Sequence, residues 1–153
     1  MAFARGNLKI HRPNAGRHLA RLHLADRRQI RRHLSRPEKP LDGPGLYEIR
    51  GLAWTGNGKI RRVDVSTDGG VNWQTARLHE PVLSKALTKF TLPWRWDGQP
   101  ALLESRVIDE TGYVQPTITE LRKQRGTNSV YHNNSIQTWQ VKPDGSVFDV
   151  QLA

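Results

Sequence analysis

Apolar and polar residues alternate in short stretches from Leu46 to the end of the chain. This period of two predicts seven β-strands, at residues 46–54, 59–67, 73–78, 87–94, 101–109, 136–141 and 147–152. Residues 55–58 (Thr-Gly-Asn-Gly) tolerate a positive φ, so the first two strands are predicted to form a hairpin. The last two strands are predicted to pair around Pro143-Asp144-Gly145, and one short helix is predicted at residues 118–124. The pattern indicates an all-β fold, an immunoglobulin-like (E-set) β-sandwich.

The first 36 residues show no sustained period, and prolines and glycines between residues 37 and 45 interrupt the chain after them. Charge is uneven as well. Residues 1–40 carry 11 Lys and Arg against 2 Asp and Glu, whereas residues 41–153 carry 13 against 12, so +9 of the net charge of +10 lies in the first part. We therefore predict a disordered or frayed basic arm at residues 1–36, which makes the fold a sandwich with an irregular N-terminal arm, and one domain at residues 37–153.

The residues predict no self-contained active site. The chain has no cysteine, which excludes disulfides and thiolate metal ligands, and its six histidines lack the close spacing of a metal site. Asp109-Glu110 is interpreted as a solvated turn and not as a catalytic carboxylate pair. We predict no catalytic residue and no metal ligand in this chain, and no apolar run is long enough to span a membrane.

A nucleic-acid partner is disfavoured by the same sequence. Arg61, Arg62 and the run Trp94-Arg95-Trp96 combine basic and aromatic residues, as a stacking platform for bases does. Acidic residues are interspersed among them, and tryptophans at strand ends of a sandwich commonly fill its core. Only the Arg-rich arm is expected to attract polyanions, without specificity.

The sharpest local motif is Ser66-x-Asp68-x-Gly70-x-x-Trp73. Asp68 can accept hydrogen bonds from the N–H groups of a turn, and glycine supplies a positive φ. Trp73 can fold back over the turn as an apolar plug. Ser66, Asp68, Gly70 and Trp73 are therefore predicted to form a structural turn and to take no part in chemistry.

Four sequence runs occur in order along the second part of the chain. They are residues 45–54 (GLYEIRGLAW), residues 58–66 followed by Asp68-Gly69-Gly70 and Trp73, residues 109–116 (DETGYVQP) and residues 125–132 (RGTNSVYH). Together they resemble the molybdenum-cofactor oxidoreductase dimerisation domain of the sulfite oxidase family, over about residues 37–153. Residues 131–133 and 137–139 are most similar to the catalytic subunit of the bacterial sulfite (sulfane) dehydrogenases of sulfur oxidation.

The resemblance implies a β-sandwich that forms a homodimer beside a larger domain, in which a cysteine holds molybdopterin-bound molybdenum. For the full-length bacterial enzymes it also implies a periplasmic location and a cytochrome c electron acceptor. It assigns one site residue here, Arg125, because the matching Arg-Gly step of the family reaches into the cofactor pocket and binds the anionic substrate. No cofactor is expected in this chain itself, since it contains neither that domain nor that cysteine.

Two hypotheses on function follow. In the first, the chain is the dimerisation and substrate-lining domain of such an enzyme, a fragment that is inactive by itself, with residues 1–36 translated out of frame. In the second, it is a stand-alone immunoglobulin-like binding module whose basic arm binds a polyanion. Salt would distinguish them, because binding through the arm weakens steeply as ionic strength rises.

Overall fold

The computed structural model describes residues 18–26, 40–126 and 134–150, with backbone only for residues 18–26 and for Arg125. Two antiparallel sheets form a sandwich, as predicted; sheet A has the strand order β1-β2-β6-β5 and sheet B the order β4-β3-β7-β8-β9. The elements are β1 (His18–Asp26), β2 (Gly45–Thr55), β3 (Ile60–Ser66), β4 (Gln74–Thr75), β5 (Arg77–Leu78), β6 (Thr88–Trp96), β7 (Ala101–Asp109), α1 (Ile118–Arg125), β8 (Thr138–Val141) and β9 (Val147–Val150).

The core lies between the inner faces of the two sheets. Every second residue of a strand points inward, so β2 buries positions 47, 49, 51, 53 and 55, whereas positions 48, 50, 52 and 54 are half-buried. The remaining buried apolar residues come from both sheets: Ile60, Val63, Val65, Ala76, Phe90, Leu92, Trp96, Leu103, Val107 and Val141. Burial of this apolar surface provides most of the driving force for folding.

The predicted hairpin of the first two strands is wrong. β2 pairs with β1 and β6 in sheet A, whereas β3 pairs with β4 and β7 in sheet B. The connecting loop is bound to the end of β7 instead, since Lys59 N donates to Glu110 Oε1 (2.9 Å) and Glu110 N donates to Lys59 O (3.0 Å). Gly56 and Gly58 lie in the loop where the chain passes from sheet A to sheet B. The other predicted hairpin is confirmed, with Val141 of β8 opposite Val147 of β9.

The strand predicted at residues 73–78 is divided between the two sheets. Gln74–Thr75 pairs with β3 and Arg77–Leu78 pairs with β6. Ala76 lies between them, is buried, and donates its N–H to Val63 O (2.8 Å). The continuous pattern of the sequence hides this change of sheet, because each half keeps the same alternation.

The predicted irregular arm contains one strand. His18–Asp26 runs antiparallel to β2, with His18 opposite Thr55 and Asp26 opposite Tyr47. Ala20, Leu22 and Leu24 alternate with Arg21 and His23, so a period of two was present in the sequence beside the helical patches. The edge of β2 offers these residues a partner strand. The prediction of an irregular arm does not hold for these nine residues, and the rest of residues 1–36 lies outside the described residues.

Candidate functional site

Two pieces of chain are hydrogen-bonded to the backbone of β7 and border a groove on the outer face of sheet B. One is the turn at residues 66–73, and the other is the segment at residues 109–126, which packs beside residues 134–137. The groove has a volume of about 450 Å³. Glu104, Arg106 and Thr138 form its floor, because these residues point outward from β7 and β8.

The turn is closed by its own side chains. Ser66 Oγ donates to Asp68 Oδ1 (2.7 Å) and accepts from Gly70 N (2.9 Å). Asn72 donates to Asp68 twice, from its backbone N to Oδ1 (2.9 Å) and from Nδ2 to Oδ2 (2.7 Å). These bonds, first of all the one from the Asn72 backbone, lower the pKa of Asp68 from 3.8 to about 2. Asp68 is thus held as a carboxylate that organises backbone.

Trp73 and Gly70 complete this wall of the groove. Trp73 Nε1 donates to Gly70 O (2.9 Å), and the guanidinium of Arg106 lies 4.2 Å from the centroid of the Trp73 ring. Gly70 has φ +86°, and a Cβ there would come within 2.9 Å of Glu104 Oε2. The positive φ favours glycine at this position, and a Cβ would in addition displace the Glu104 carboxylate.

The opposite segment begins at Asp109, whose side chain is fully buried. Its Oδ1 accepts from Thr111 N (2.9 Å), Thr111 Oγ1 (2.6 Å) and Tyr113 N (3.1 Å), and its Oδ2 accepts from Thr55 Oγ1 (3.1 Å). The interpretation of Asp109 as a solvated turn residue is wrong. It continues the inward positions 103, 105 and 107 of β7, so the strand alternation was a signal of its burial.

Gln115 fixes the far side of the same segment. It is 2% exposed; its Oε1 accepts from Val107 N (3.3 Å) and its Nε2 donates to Ser135 O (3.0 Å). Ile136 N also donates to Pro116 O (2.8 Å). Gln115 and Pro116 are therefore tied to Ser135 and Ile136. Nothing in the sequence alone distinguished Gln115 beyond its place in the Gln-Pro step.

Helix α1 follows and carries Arg125 as its last residue. Thr117 begins the helix through a capping box, in which Glu120 N donates to Thr117 Oγ1 (3.2 Å) and Thr117 N donates to Glu120 Oε2 (2.8 Å). The bonds from Thr117 lower the pKa of Glu120. Gly126, with φ +74°, ends the helix. The side chain of Arg125 and the run 131–133 lie outside the described residues.

The described residues bring together no group of three His, Cys, Asp or Glu side chains that could hold a metal ion. His79 Nε2 is hydrogen-bonded to Thr91 Oγ1 (3.0 Å). The basic and aromatic residues considered as a base-stacking platform are also apart: Trp96 is buried and Trp94 half-buried against Tyr47, whereas Arg62 pairs with Asp64 on the other sheet. In the described part of the chain, no helix has the length and apolar character needed to cross a membrane.

The comparisons with known proteins all indicate the same family. Residues 34–139 match the model of the Mo-co oxidoreductase dimerisation domain. Mitochondrial sulfite oxidase of Homo sapiens is 49% identical over 106 residues, which is 60% of this chain and 19% of that protein. Sulfite oxidase of Gallus gallus is 53% identical over 80 residues, or 48% of this chain and 17% of that protein.

A solved structure of the same kind of enzyme is also similar to this chain. The sulfane dehydrogenase SoxCD from Paracoccus pantotrophus superposes with a TM-score of 0.75 at 53% identity, covering 88% of this chain and 33% of that chain. The chain thus spans about a fifth of the length of the sulfite oxidases and a third of the matched sulfane dehydrogenase chain. The stand-alone binding module with a polyanion-binding arm is not favoured by these matches.

Proposed function

The chain belongs to the Mo-co oxidoreductase dimerisation domain family, and from that premise we propose that it lines the substrate pocket of a sulfite oxidase-type enzyme. Full-length members of the family carry molybdopterin-bound molybdenum, which supplies the redox chemistry. The part proposed for this chain is to pair two subunits and to present a cation to the anionic substrate. We assign that cation to Arg125, and we expect no turnover of sulfite by the chain without a cofactor domain.

One observation supports the assignment most strongly. Gln115 and Pro116 are tied to Ser135 and Ile136, and a capped helix then extends to Arg125. These bonds fix the start of the helix whose last residue is Arg125. A guanidinium is always charged and offers a fork of donors that matches two oxygens of sulfite, which an ammonium does not.

The quaternary structure and the electron acceptor are proposals as well. We propose that two copies form a homodimer, and that the complete enzyme passes its electrons to a cytochrome c in the periplasm. Membership of a dimerisation-domain family and the likeness to the sulfane dehydrogenase support the first point; the second rests on the resemblance alone.

A chimera tests the role of Arg125. Residues 37–153 would be joined to the cofactor domain of a close relative, and steady-state kinetics compared for Arg125, Arg125→Lys and Arg125→Met. Removal of the guanidinium should raise KM for sulfite at least about tenfold in Arg125→Met, and Arg125→Lys should show a smaller rise. Molybdenum content and dimer formation serve as controls. An unchanged KM with both controls intact would show that Arg125 does not bind substrate.

A further inference from the structure

The loop that passes from sheet A to sheet B contains a chemically labile pair of residues, Asn57-Gly58. It is the only Asn-Gly step in the 153 residues of the sequence. An asparagine side chain can react with the backbone nitrogen of the residue that follows it, and glycine hinders this attack least because it has no Cβ. The surroundings of the two groups in the fold decide whether they are free to react.

The loop does not adopt the tight-turn geometry that its composition favours. A type I′ hairpin turn would hold Asn57 at a positive φ, but Lys85 is the only non-glycine residue with a positive φ in the described part of the chain. The strands on either side, β2 and β3, belong to different sheets, so they form no hairpin ladder that closes the loop. Asn57 is therefore an exposed residue without the constraint of a hairpin turn.

The hydrogen bonds of the loop engage the groups around the reacting pair. Asn57 N donates to Thr55 Oγ1 (3.1 Å), and Lys85 N donates to Gly58 O (2.6 Å). Among the bonds between described residues, none involves the side-chain amide of Asn57 or the backbone nitrogen of Gly58. Gly58 is buried, but the group that it attacks belongs to its own chain neighbour. No hydrogen bond therefore has to open before the two groups react.

We propose that Asn57-Gly58 is a site of spontaneous deamidation in the folded protein. The nitrogen of Gly58 loses its proton to hydroxide and bonds to Cγ of Asn57, and the Cγ–Nδ2 bond breaks as ammonia leaves. Water then opens the resulting cyclic imide. Cleavage of the new N–Cγ bond gives aspartate, whereas cleavage of the original backbone C–N bond gives isoaspartate, in which the chain runs through Cγ. Each route consumes one water, releases one ammonia and leaves one new carboxylate.

The new carboxylate arises beside an existing one. A Cβ on Gly58 would collide with Glu110 Oε1, so the carboxylate of Glu110 lies against the loop. The same oxygen accepts from Lys59 N (2.9 Å), and Glu110 N donates to Lys59 O (3.0 Å). These two bonds attach the loop to the end of β7. Repulsion between carboxylates at positions 57 and 110 should weaken the attachment, and salt should screen it because both positions are exposed.

Peptide mapping by mass spectrometry tests the reaction on the full chain, incubated at mildly alkaline pH. Asn57 should convert to a mixture of aspartate and isoaspartate, which distinguishes the imide route from direct hydrolysis of the amide. Asn72 is the matched control, because it is also exposed but donates its side-chain Nδ2 to Asp68 Oδ2 (2.7 Å) and precedes the bulky Trp73. The need to open a hydrogen bond to a carboxylate should make Asn72 react at least about tenfold more slowly than Asn57.

A comparison with the unfolded chain isolates the effect of the fold. The rate at Asn57 in the native chain should remain within about tenfold of its rate in urea, since no described bond protects the reacting groups. Asn72 should react faster once urea has opened its turn. Asn57 that reacts in urea but not in the native chain would overturn the proposal, and so would equal native rates at Asn57 and Asn72.

Hydrogen exchange tests the consequence for the loop. Asn57→Asp has the charge of the aspartate product, and Asn57→Ser is the uncharged control. At low ionic strength the amides of Lys59 and Glu110 should exchange about two- to fivefold faster in Asn57→Asp than in Asn57→Ser, as expected for repulsion between exposed charges. High salt should remove the difference. Equal exchange in the two variants at low ionic strength would overturn the weakening of the attachment to β7.

Discussion

The turn at residues 66–73 and the segment at residues 109–126 both border the groove beside β7, but different side-chain contacts hold them. In the turn, the bonds of Ser66, Asp68 and Asn72 join residues at most four positions apart. In the segment, Asp109 is bonded to Thr55 and Gln115 to Ser135, which are 54 and 20 positions away along the chain. The side-chain bonds that close the turn come from its own sequence, although Gly69 N also donates to Leu102 O of β7 (3.0 Å); the side-chain bonds of the segment include partners from distant parts of the sandwich.

This difference matters for function because the proposed substrate-binding residue belongs to the second element. Arg125 is the last residue of α1; the capping box of Thr117 fixes the start of that helix, and the bonds of Asp109 and Gln115 fix the chain that leads to it. Substitutions far from Arg125 in sequence should therefore disturb it. Substitutions within the turn should remain local. The predictions below test this contrast.

Asp109→Ala should have the largest effect. It leaves the N–H groups of Thr111 and Tyr113 and the hydroxyl of Thr55 without their buried acceptor. The Thr55 hydroxyl is buried, and an unsatisfied buried donor costs about 1–3 kcal/mol, whereas Thr111 is exposed and Tyr113 half-buried; the free energy of unfolding should therefore fall by roughly 3 kcal/mol. Urea denaturation measures this. Asp109→Asn keeps one acceptor oxygen and should lose clearly less; equal losses would show that the acceptors are not the cause.

Gln115→Leu should come next, with a fall of about 2 kcal/mol in the free energy of unfolding. Leucine keeps most of the volume but leaves Val107 N and Ser135 O without the partners that Gln115 provides. Hydrogen exchange should quicken at the Ile136 amide, which is bonded to Pro116 O, while the Asn72 amide in the turn stays protected. Gln124→Leu, exposed on α1, is the control. Equal loss of protection at both amides would contradict the contrast between turn and segment.

The same contrast explains what could be predicted from the sequence. The two-sheet fold followed from the strand alternation, and the Ser66–Trp73 motif contains within eight residues the side chains whose hydrogen bonds close its turn. The burial of Asp109 and the clamp made by Gln115 did not follow, because their partners come from β2 and from the chain after α1. A single sequence does not show which distant groups will meet.

Errors in strand pairing have a related cause. Alternation places a residue on one face or the other, but it does not say which strand lies beside it. The loop at residues 56–59 has the composition of a tight turn and nevertheless crosses between sheets, and the stretch 74–78 serves both sheets. The strand His18–Asp26 depends on β2 for its pairing, so its own weak pattern was insufficient to predict it.

Thr117→Ala should have a smaller effect, confined to helix α1. It removes the side-chain acceptor for Glu120 N and one of the donors to the Glu120 carboxylate. Loss of such an N-cap costs about 1 kcal/mol. Urea denaturation should show a decrease of this size in the free energy of unfolding. Thr117→Ser should retain most of the wild-type stability because its hydroxyl can still cap the helix. If alanine and serine behave alike, the capping box does not hold the start of α1.

Asp68→Asn should have the smallest effect, which is present above pH 3.8 and disappears in acid. The folded pKa of Asp68, about 2, lies below its ordinary value of 3.8, so the turn favours the charged form. This contribution to stability is fully present above pH 3.8 and is lost as the pH falls towards 2. The wild-type Tm should therefore decrease more steeply than that of Asp68→Asn over this window, whereas the two curves should run parallel above it. Because the carboxylate is exposed and its partners are local, the change should not reach the amide of Ile136. A Tm difference with no dependence on pH between 2 and 4 would mean that the charge of Asp68 does not stabilise the turn, and that glycine geometry and the Trp73–Gly70 bond are sufficient for it.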